Sequence, residues 1–253
     1  QDHPQTTLYM VGTPIGNLAD ISLRALHVLM LADTIACEDT RHSQSLLRAY
    51  GIDKAGHQWL AVHQHNEAQA SDQVLALLRQ GQRVAYVSDA GTPGISDPGA
   101  RLAHAVAAQG LRVMPIPGAS SVTTLLSACG STKAQDAGFI FWGFLPAKGA
   151  ERTSALQALA AEPRAQVLLE SPHRISALAS DLSALGERSV TIGRELTKQF
   201  EEVATLPADQ LPNWLAHSPQ RLRGEFTLVV HHAPQHTDEM TEARRVLALL
   251  LAQ

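Results

Sequence analysis

The residues best suited to chemistry gather in three segments, each where glycine, proline and hydroxyl side chains follow directly on an apolar run. They are VGTPIGNL (Val11 to Leu18), SDAGTPGISDPG (Ser88 to Gly99) and PIPGASSV (Pro115 to Val122). Glycine permits close backbone approach or positive φ, and proline stiffens a turn. The second segment holds three glycines, two prolines and two aspartates in twelve residues. That exceeds what a plain turn requires and suits exposed amides and carbonyls that cradle a polar ligand. Ser120 and Ser121 fall at a helix start, where they can cap the helix or bond a ligand carboxylate. A nicotinamide dinucleotide is disfavoured, because the first segment is not GxGxxG and lacks the acidic ribose ligand of that pattern. The chain has 12 histidines, and His63, His65, His231 and His232 invite a metal reading. Their spacing offers no set of three or four ligands with Cys or Asp, so no metal is expected. Cys37 and Cys129 lie far apart in apolar surroundings and read as buried small hydrophobes.

The elements that must position these segments alternate. Short apolar runs at Leu8 to Gly12, Thr34 to Glu38, Trp59 to His63, Val84 to Ser88 and Arg112 to Pro117 read as strands. Between them, helical spacing runs over Ser22 to Leu31, Ala68 to Gln80 and Ala100 to Gln109, with Asp20 and Ser22 as caps and Gly81 and Gly110 as stops. Apolar strands separated by helices predict a parallel sheet covered on both faces. In the second half, strands at Gly138 to Phe144 and Val167 to Glu170 flank a helix beginning near Glu151. Ser189 to Leu196, EEVAT and EFTLVVHH follow with less helix between them, which predicts a mixed sheet. Ser171-Pro172 reads as an N-cap with proline opening a helix over Ile175 to Leu185, and TEARRVLALLLAQ as an amphipathic C-terminal helix. The fold class is therefore α/β in two domains, 1–117 and 118–253, the first with a parallel sheet and flanking helices, the second with a mixed sheet.

Of 253 residues, 45 % are hydrophobic and 17 % charged, enough apolar material for a sizeable core and incompatible with intrinsic disorder. No apolar stretch approaches the roughly 18–20 residues that span a bilayer. QDHPQTT has neither a basic start nor an apolar run, so no secretory signal is expected and a cytoplasmic location is. Twenty basic against 24 acidic residues give a net charge of −4. Cut near Gly118, the halves carry 8 and 10, then 12 and 14 basic and acidic residues. Any contact with nucleic acid must come from a local cluster.

Seven motifs occur in order: TPIGNLADIS, ACEDTRHS, VSDAGTPGISDPG, PGASS, GFLPAK (Gly143 to Lys148), ESPHR (Glu170 to Arg174) and GRELTKQFEE (Gly193 to Glu202). Together they resemble the small-subunit ribosomal RNA methyltransferase I family, cytidine 2′-O-methyltransferases of the tetrapyrrole methylase superfamily. The resemblance runs from about Leu8 to His231. It departs from the tetrapyrrole-acting relatives at the first loop, where their GxGPGDP is replaced by Gly12-Thr-Pro-Ile-Gly.

The resemblance implies two α/β domains with S-adenosylmethionine in a cleft between them, and a homodimer. By motif position, cofactor contacts would fall on Ile15, on Gly91, Thr92 and Ile95, on Ser120 and Ser121, and on Leu169 and Phe226. Thr92 stands where many relatives have an aspartate, so a charged acceptor is missing there. Methyl transfer to a hydroxyl needs no metal but benefits from a general base. Glu38, Asp39, Glu170, Glu195 and Lys198 all lie in matched motifs near predicted strand ends, and Glu170 and Glu195 are preferred as the catalytic pair because both are expected to open onto the cleft. Contact with small-subunit rRNA or the assembled small subunit would draw on Arg41, Lys148, Arg174 and Lys198, together with Arg194, Arg221 and Arg223. The same fold also supports methylation of a tetrapyrrole or another small molecule, or cofactor and RNA binding without turnover; EDTR, GFLPAK and ESPHR favour the ribosomal reading.

Overall fold

A computed structural model describes residues 2–63, 66–130 and 138–233. The chain divides into two compact units, Gln1–Ala128 with Glu195–Glu202, and Cys129–Arg194 with Val203–Gln253.

The first unit holds strands β1 (Thr7–Val11), β2 (Thr34–Cys37), β3 (Trp59–Ala61), β4 (Arg83–Val87) and β5 (Arg112–Ile116) in the order β3-β2-β4-β1-β5. All four pairings are parallel, as the alternating apolar runs predict. Its helices are α1 (Leu23–Leu31), α2 (Thr40–Ala49), α3 (Glu67–Arg79), α4 (Gly99–Ala108) and α5 (Ser121–Ala128). Strand alternation decides which face each helix covers. Tyr9, Val11, Ile35, Cys37, Ala85 and Val87 pack with Val28 and Leu29 of α1 and Leu47 of α2. Leu8, Ala36, Val84 and Tyr86 point the other way, onto α3 and α4. Ser22 caps α1 by accepting from the Ala25 N–H at 3.0 Å, whereas Asp20 ends a short 3₁₀ turn. The unit also takes in α5, which the sequence pattern assigns to the second half. The approach to α5 is held by the first unit's own loops, through Gly118 against Gly12 and the Thr92 hydroxyl donating to the Ala119 carbonyl at 3.0 Å.

The second unit holds β6 (Phe139–Gly143), β7 (Ala165–Glu170), β8 (Ser189–Arg194), β9 (Glu202–Pro207) and β10 (Phe226–Val230) in the order β6-β7-β10-β8-β9. β6 runs parallel to β7, while β10 is antiparallel to both β7 and β8, so the sheet is mixed. Helices α6 (Gly149–Ala161), α7 (Ile175–Leu182) and α8 (Leu211–Ala216) accompany it. Leu168, Leu228, Val190, Ile192 and Phe226 form one apolar face with Ile175, Leu178 and Leu182 of α7 and Leu211 and Leu215 of α8. The cap expected from the Ser171 side chain is not formed. Instead the Ser171 carbonyl accepts from the N–H groups of Arg174 and Ile175 at 3.1 and 3.0 Å, and α7 begins after that turn. It also ends sooner than the periodicity suggests, tightening into a 3₁₀ turn over Ser183–Leu185 before Gly186 at φ +60°. The C-terminal helix read at 241–253 lies outside the described residues, as does His65. Among the described residues, no helix is long and apolar enough to cross a membrane.

Candidate functional site

In a parallel sheet every carboxyl end lies on one edge, so the loops after β1, β2, β4 and β5 share that edge. β1 feeds α1 on one face, β4 feeds α4 on the other, and the two strands are neighbours. Strand order therefore reverses between them, the place where open α/β sheets hold ligands. The glycine-proline segments meet there. The Thr13 N–H donates to the Gly91 carbonyl at 2.9 Å, and the Gly12 N–H to the Ile116 carbonyl at 2.9 Å. A Cβ on Gly12 would stand 2.7 Å from the Gly118 nitrogen, so these two backbones touch only because both residues are glycine. Gly91 sits at φ +80°, and a Cβ there would come within 3.1 Å of the Ile15 side chain.

Of the expected cofactor residues, the structure thus brings Ile15, Gly91 and Thr92 together with the segment carrying Ser120 and Ser121. Ile15 is half-buried beside Gly91, and Ile95 is 44 % exposed on the same loop. Ser121 opens α5, and the Ser120 carbonyl takes the Thr124 N–H at 2.9 Å. Thr92 supplies a donor where a carboxylate would accept. Thr13 is fully buried, and its hydroxyl finds no hydrogen-bond partner among the described residues. The segments 12–17, 88–98 and 117–120 contain no Lys, Arg or His. That composition is ill suited to a phosphate-rich ligand and suits one that is polar, partly apolar and carries positive charge. Leu169 and Phe226 belong to the second unit. Thr227, the neighbour of Phe226, pairs with Leu169, so the Leu169 and Phe226 side chains lie on opposite faces of the sheet. The Phe226 ring is in the core of the second unit.

The acidic residues separate sharply. Glu170 is paired with Phe226, and Phe226 with Arg194, placing Glu170 on the helix-covered face of the second sheet. It was expected to be open, but its side chain is 0 % exposed. One carboxylate oxygen takes the Ser171 N–H at 2.8 Å and faces the Arg174 Nε at 3.4 Å. Arg174 in turn donates to the carbonyls of Leu145 and Pro146 at 2.5 and 3.4 Å, and Arg152 adds a 2.9 Å bond to Pro146 while pairing with Asp181 at 2.6 Å. Glu170 and Arg174 therefore shape the GFLPAK turn from beneath, leaving Phe144 and Lys148 exposed. Asp39 caps α2, accepting from the N–H groups of Arg41 and His42, which hold its carboxyl below the usual range. Asp97 accepts from the N–H groups of Gly94, Ile95 and Gly99 and from the Tyr86 hydroxyl. Glu195 pairs with Lys198 at 2.8 Å. The Lys198 stem lies where a Cβ on Gly16 would be, so this pair borders the first loop. Glu195 and Thr197 both adopt positive φ, +51° and +67°, which costs of order 1–3 kcal/mol each and concentrates at functional sites.

Glu38 differs from these. It follows β2 directly, is half-buried, and accepts one long bond of 3.3 Å from the Asp89 N–H. Burial is the main reason its carboxyl sits above the ordinary glutamate range, with the charges of Asp89 and Asp97 adding to it. Among the cations, Arg41 is 92 % exposed and Lys148 exposed, whereas Arg221 lies 4.0 Å over the Trp214 ring. His231 is spent inside the second sheet, its Nε2 2.7 Å from the Thr191 hydroxyl. Among the described residues, no three His, Cys, Asp or Glu side chains are grouped to hold a metal ion.

Comparison with known proteins bears on the fold and the family. The family model described as Tetrapyrrole (Corrin/Porphyrin) Methylases matches residues 7–212. A protein named ribosomal RNA small subunit methyltransferase I from Escherichia coli O157:H7 is 46 % identical over 255 residues, covering 100 % of this chain and 87 % of that one. One of the same name from Pseudomonas aeruginosa is 44 % identical, covering 98 % and 87 %. Among solved structures, a cobalt precorrin-4 methyltransferase superposes with TM-score 0.64 at 18 % identity, covering 88 % of this chain and 94 % of that one. A uroporphyrin-III C-methyltransferase from Thermus thermophilus, complexed with S-adenosyl homocysteine, gives 0.59 at 17 % identity, covering 88 % and 96 %. The chain accordingly belongs to the tetrapyrrole methylases, within their ribosomal RNA small subunit methyltransferase I branch.

Proposed function

We propose that this chain transfers a methyl group from S-adenosylmethionine to the ribose 2′-hydroxyl of a cytidine in small-subunit ribosomal RNA, as a cytoplasmic homodimer. The observation that carries the reading is identity of 41–46 %, over nearly the whole chain, to proteins named for methylating small-subunit rRNA. The switch-point loops fit the cofactor's chemistry. Their backbone groups and the hydroxyls of Thr13, Ser120 and Ser121 suit its ribose and amino-acid parts, Ile15 and Ile95 suit its base, and the lack of cations in those loops suits a sulfonium. Ile15, Gly91, Thr92, Ile95, Ser120 and Ser121 would hold it. When bound, S-adenosylmethionine supplies a methyl group already activated for attack.

What remains for the protein is to aim a hydroxyl, keep water away and accept a proton. Lys148 and Arg41 project as exposed cations suited to phosphate, while Arg174 contributes by fixing the turn that presents Lys148. Lys198 and Glu195, locked together over Gly16 on a strained backbone, are suited to orienting a bound group beside the first loop.

The test is methyl transfer from S-adenosylmethionine to unmodified small ribosomal subunits, followed by digestion to nucleosides and mass spectrometry. The reading expects 2′-O-methylcytidine. Methylation of a base, or transfer only to a tetrapyrrole, would overturn the substrate assignment. Sedimentation of the purified chain tests the dimer.

A further inference from the structure

We infer that Glu38 is the general base that deprotonates the attacking hydroxyl. The inference rests on the proposed function and deepens it by replacing the catalytic carboxylates that sequence position favours.

A base must be reachable, held in place and not already saturated by donors. Glu170 fails the first condition, since its side chain is 0 % exposed. Asp97 fails the third, with four donors spread over both its oxygens, and Asp39 is the N-cap of α2, where two backbone N–H groups on one oxygen lower its proton affinity. Glu195 is engaged by an ammonium at 2.8 Å. Asp89 is exposed, and its backbone rather than its carboxylate is what the fold fixes. Glu38 meets all three. β2 lies next to β4, so the residue after β2 reaches the β4 loop at the reversal of strand order, and the bond to the Asp89 N–H fixes one oxygen.

The groups facing Glu38 are acidic or neutral: Asp89 and Asp97 from the β4 loop, Tyr86 of β4, and Cys37 on its own strand. Burial, with the charges of Asp89 and Asp97, outweighs the Asp89 N–H bond and raises its proton affinity, which makes the carboxylate a stronger base than a solvated glutamate. In the step, Glu38 takes the hydroxyl proton as the oxygen forms its bond to the methyl carbon. The electron pair of the broken carbon–sulfur bond stays on sulfur, and Glu38 later gives the proton to solvent.

The experiment compares wild type, Glu38→Gln and Asp89→Asn. Each is assayed for single-turnover methyl transfer to small subunits from pH 5 to 9, for cofactor affinity by calorimetry and for thermal unfolding. In parallel, carboxyl carbons of the cofactor-free chain are titrated by NMR. Glutamine keeps the acceptor for the Asp89 N–H, so folding and cofactor affinity should stay within twofold of wild type. The rate should fall at least about a hundredfold, the usual range for a lost general base. In wild type the rate should drop as pH falls through the Glu38 pKa, because the protonated acid cannot accept. Glu38→Gln should lose that limb. Asp89→Asn removes a nearby negative charge, so both the limb and the NMR titration of Glu38 should move to lower pH. Product from wild type with a Glu38→Gln rate within threefold overturns the inference alone, as does a Glu38 carboxyl that titrates like a solvated glutamate. A wild type that methylates no ribose overturns the functional reading and this inference with it.

Discussion

Replacing Gly12 with alanine tests whether the meeting of the first and third loops depends on bare backbone. A Cβ on Gly12 would lie 2.7 and 2.8 Å from the nitrogen and Cα of Gly118 and 3.3 Å from the Pro117 carbonyl carbon, and ordinary contact begins near 3.4 Å. The neighbours are main chain, so they cannot rotate away; the two loops must part by about 0.7 Å (3.4 − 2.7). Forcing a methyl into a packed site costs about 1–3 kcal/mol. At about 2–4 °C per kcal/mol for a chain of this size, Gly12→Ala should lower Tm by about 2–12 °C. The bonds from Gly12 to Ile116 and from Thr13 to Gly91 flank the seam, so S-adenosylmethionine affinity should fall as well. Gly56→Ala is the control, since nothing lies within 4 Å of its Cβ position, and it should stay within about 0.5 kcal/mol of wild type. Differential scanning calorimetry with and without cofactor reads both effects. If Gly12→Ala melts within 1 °C of Gly56→Ala and binds cofactor equally well, the close approach of the two loops is not what shapes the site.

Three further outcomes follow from single contacts. Thr92→Val removes the hydroxyl bonded to the Ala119 carbonyl, a loss of about 1 kcal/mol, so Tm should fall by about 2–4 °C and Thr92→Ser should restore it, as calorimetry would show. Lys148→Glu should weaken small-subunit binding and flatten its salt dependence at unchanged Tm, whereas Arg174→Glu should lower Tm, because its guanidinium carries the Leu145 carbonyl and faces buried Glu170. Burial pushes the Cys37 thiol up to about 11, so at pH 8 it stays protonated in the folded chain; a thiol-specific reagent should leave it intact until denaturant exposes it, and fast native-state labelling would refute its placement in the core.

Much of the first unit is legible in sequence because its strands are short apolar runs and its helices carry regular caps and stops. Leu8 to Gly12, Thr34 to Glu38 and Val84 to Ser88 each fall within one residue of a real strand, since both faces of a parallel sheet must be apolar. The clustering of the glycine-proline loops is legible for the same reason: parallel strands put their carboxyl ends on one edge. What local sequence does not carry is which acid is left able to act. Glu38, Glu170 and Glu195 all follow or end a strand and look alike in one dimension. Their differences come from pairing between distant segments. The antiparallel insertion of β10 puts Glu170 in register with Phe226 and turns it inward, and the adjacency of β2 and β4, separated by β3 in the chain, carries Glu38 to Asp89. Glu170 and Arg174 stand four apart across the turn from β7 to α7, and their pairing ties Glu170 to the structure of that turn. What separates the three acids is the charge packed against each in space, Arg174 on Glu170, Lys198 on Glu195, and only the acidic Asp89 and Asp97 acting on Glu38, and in this chain that distinction selects Glu38.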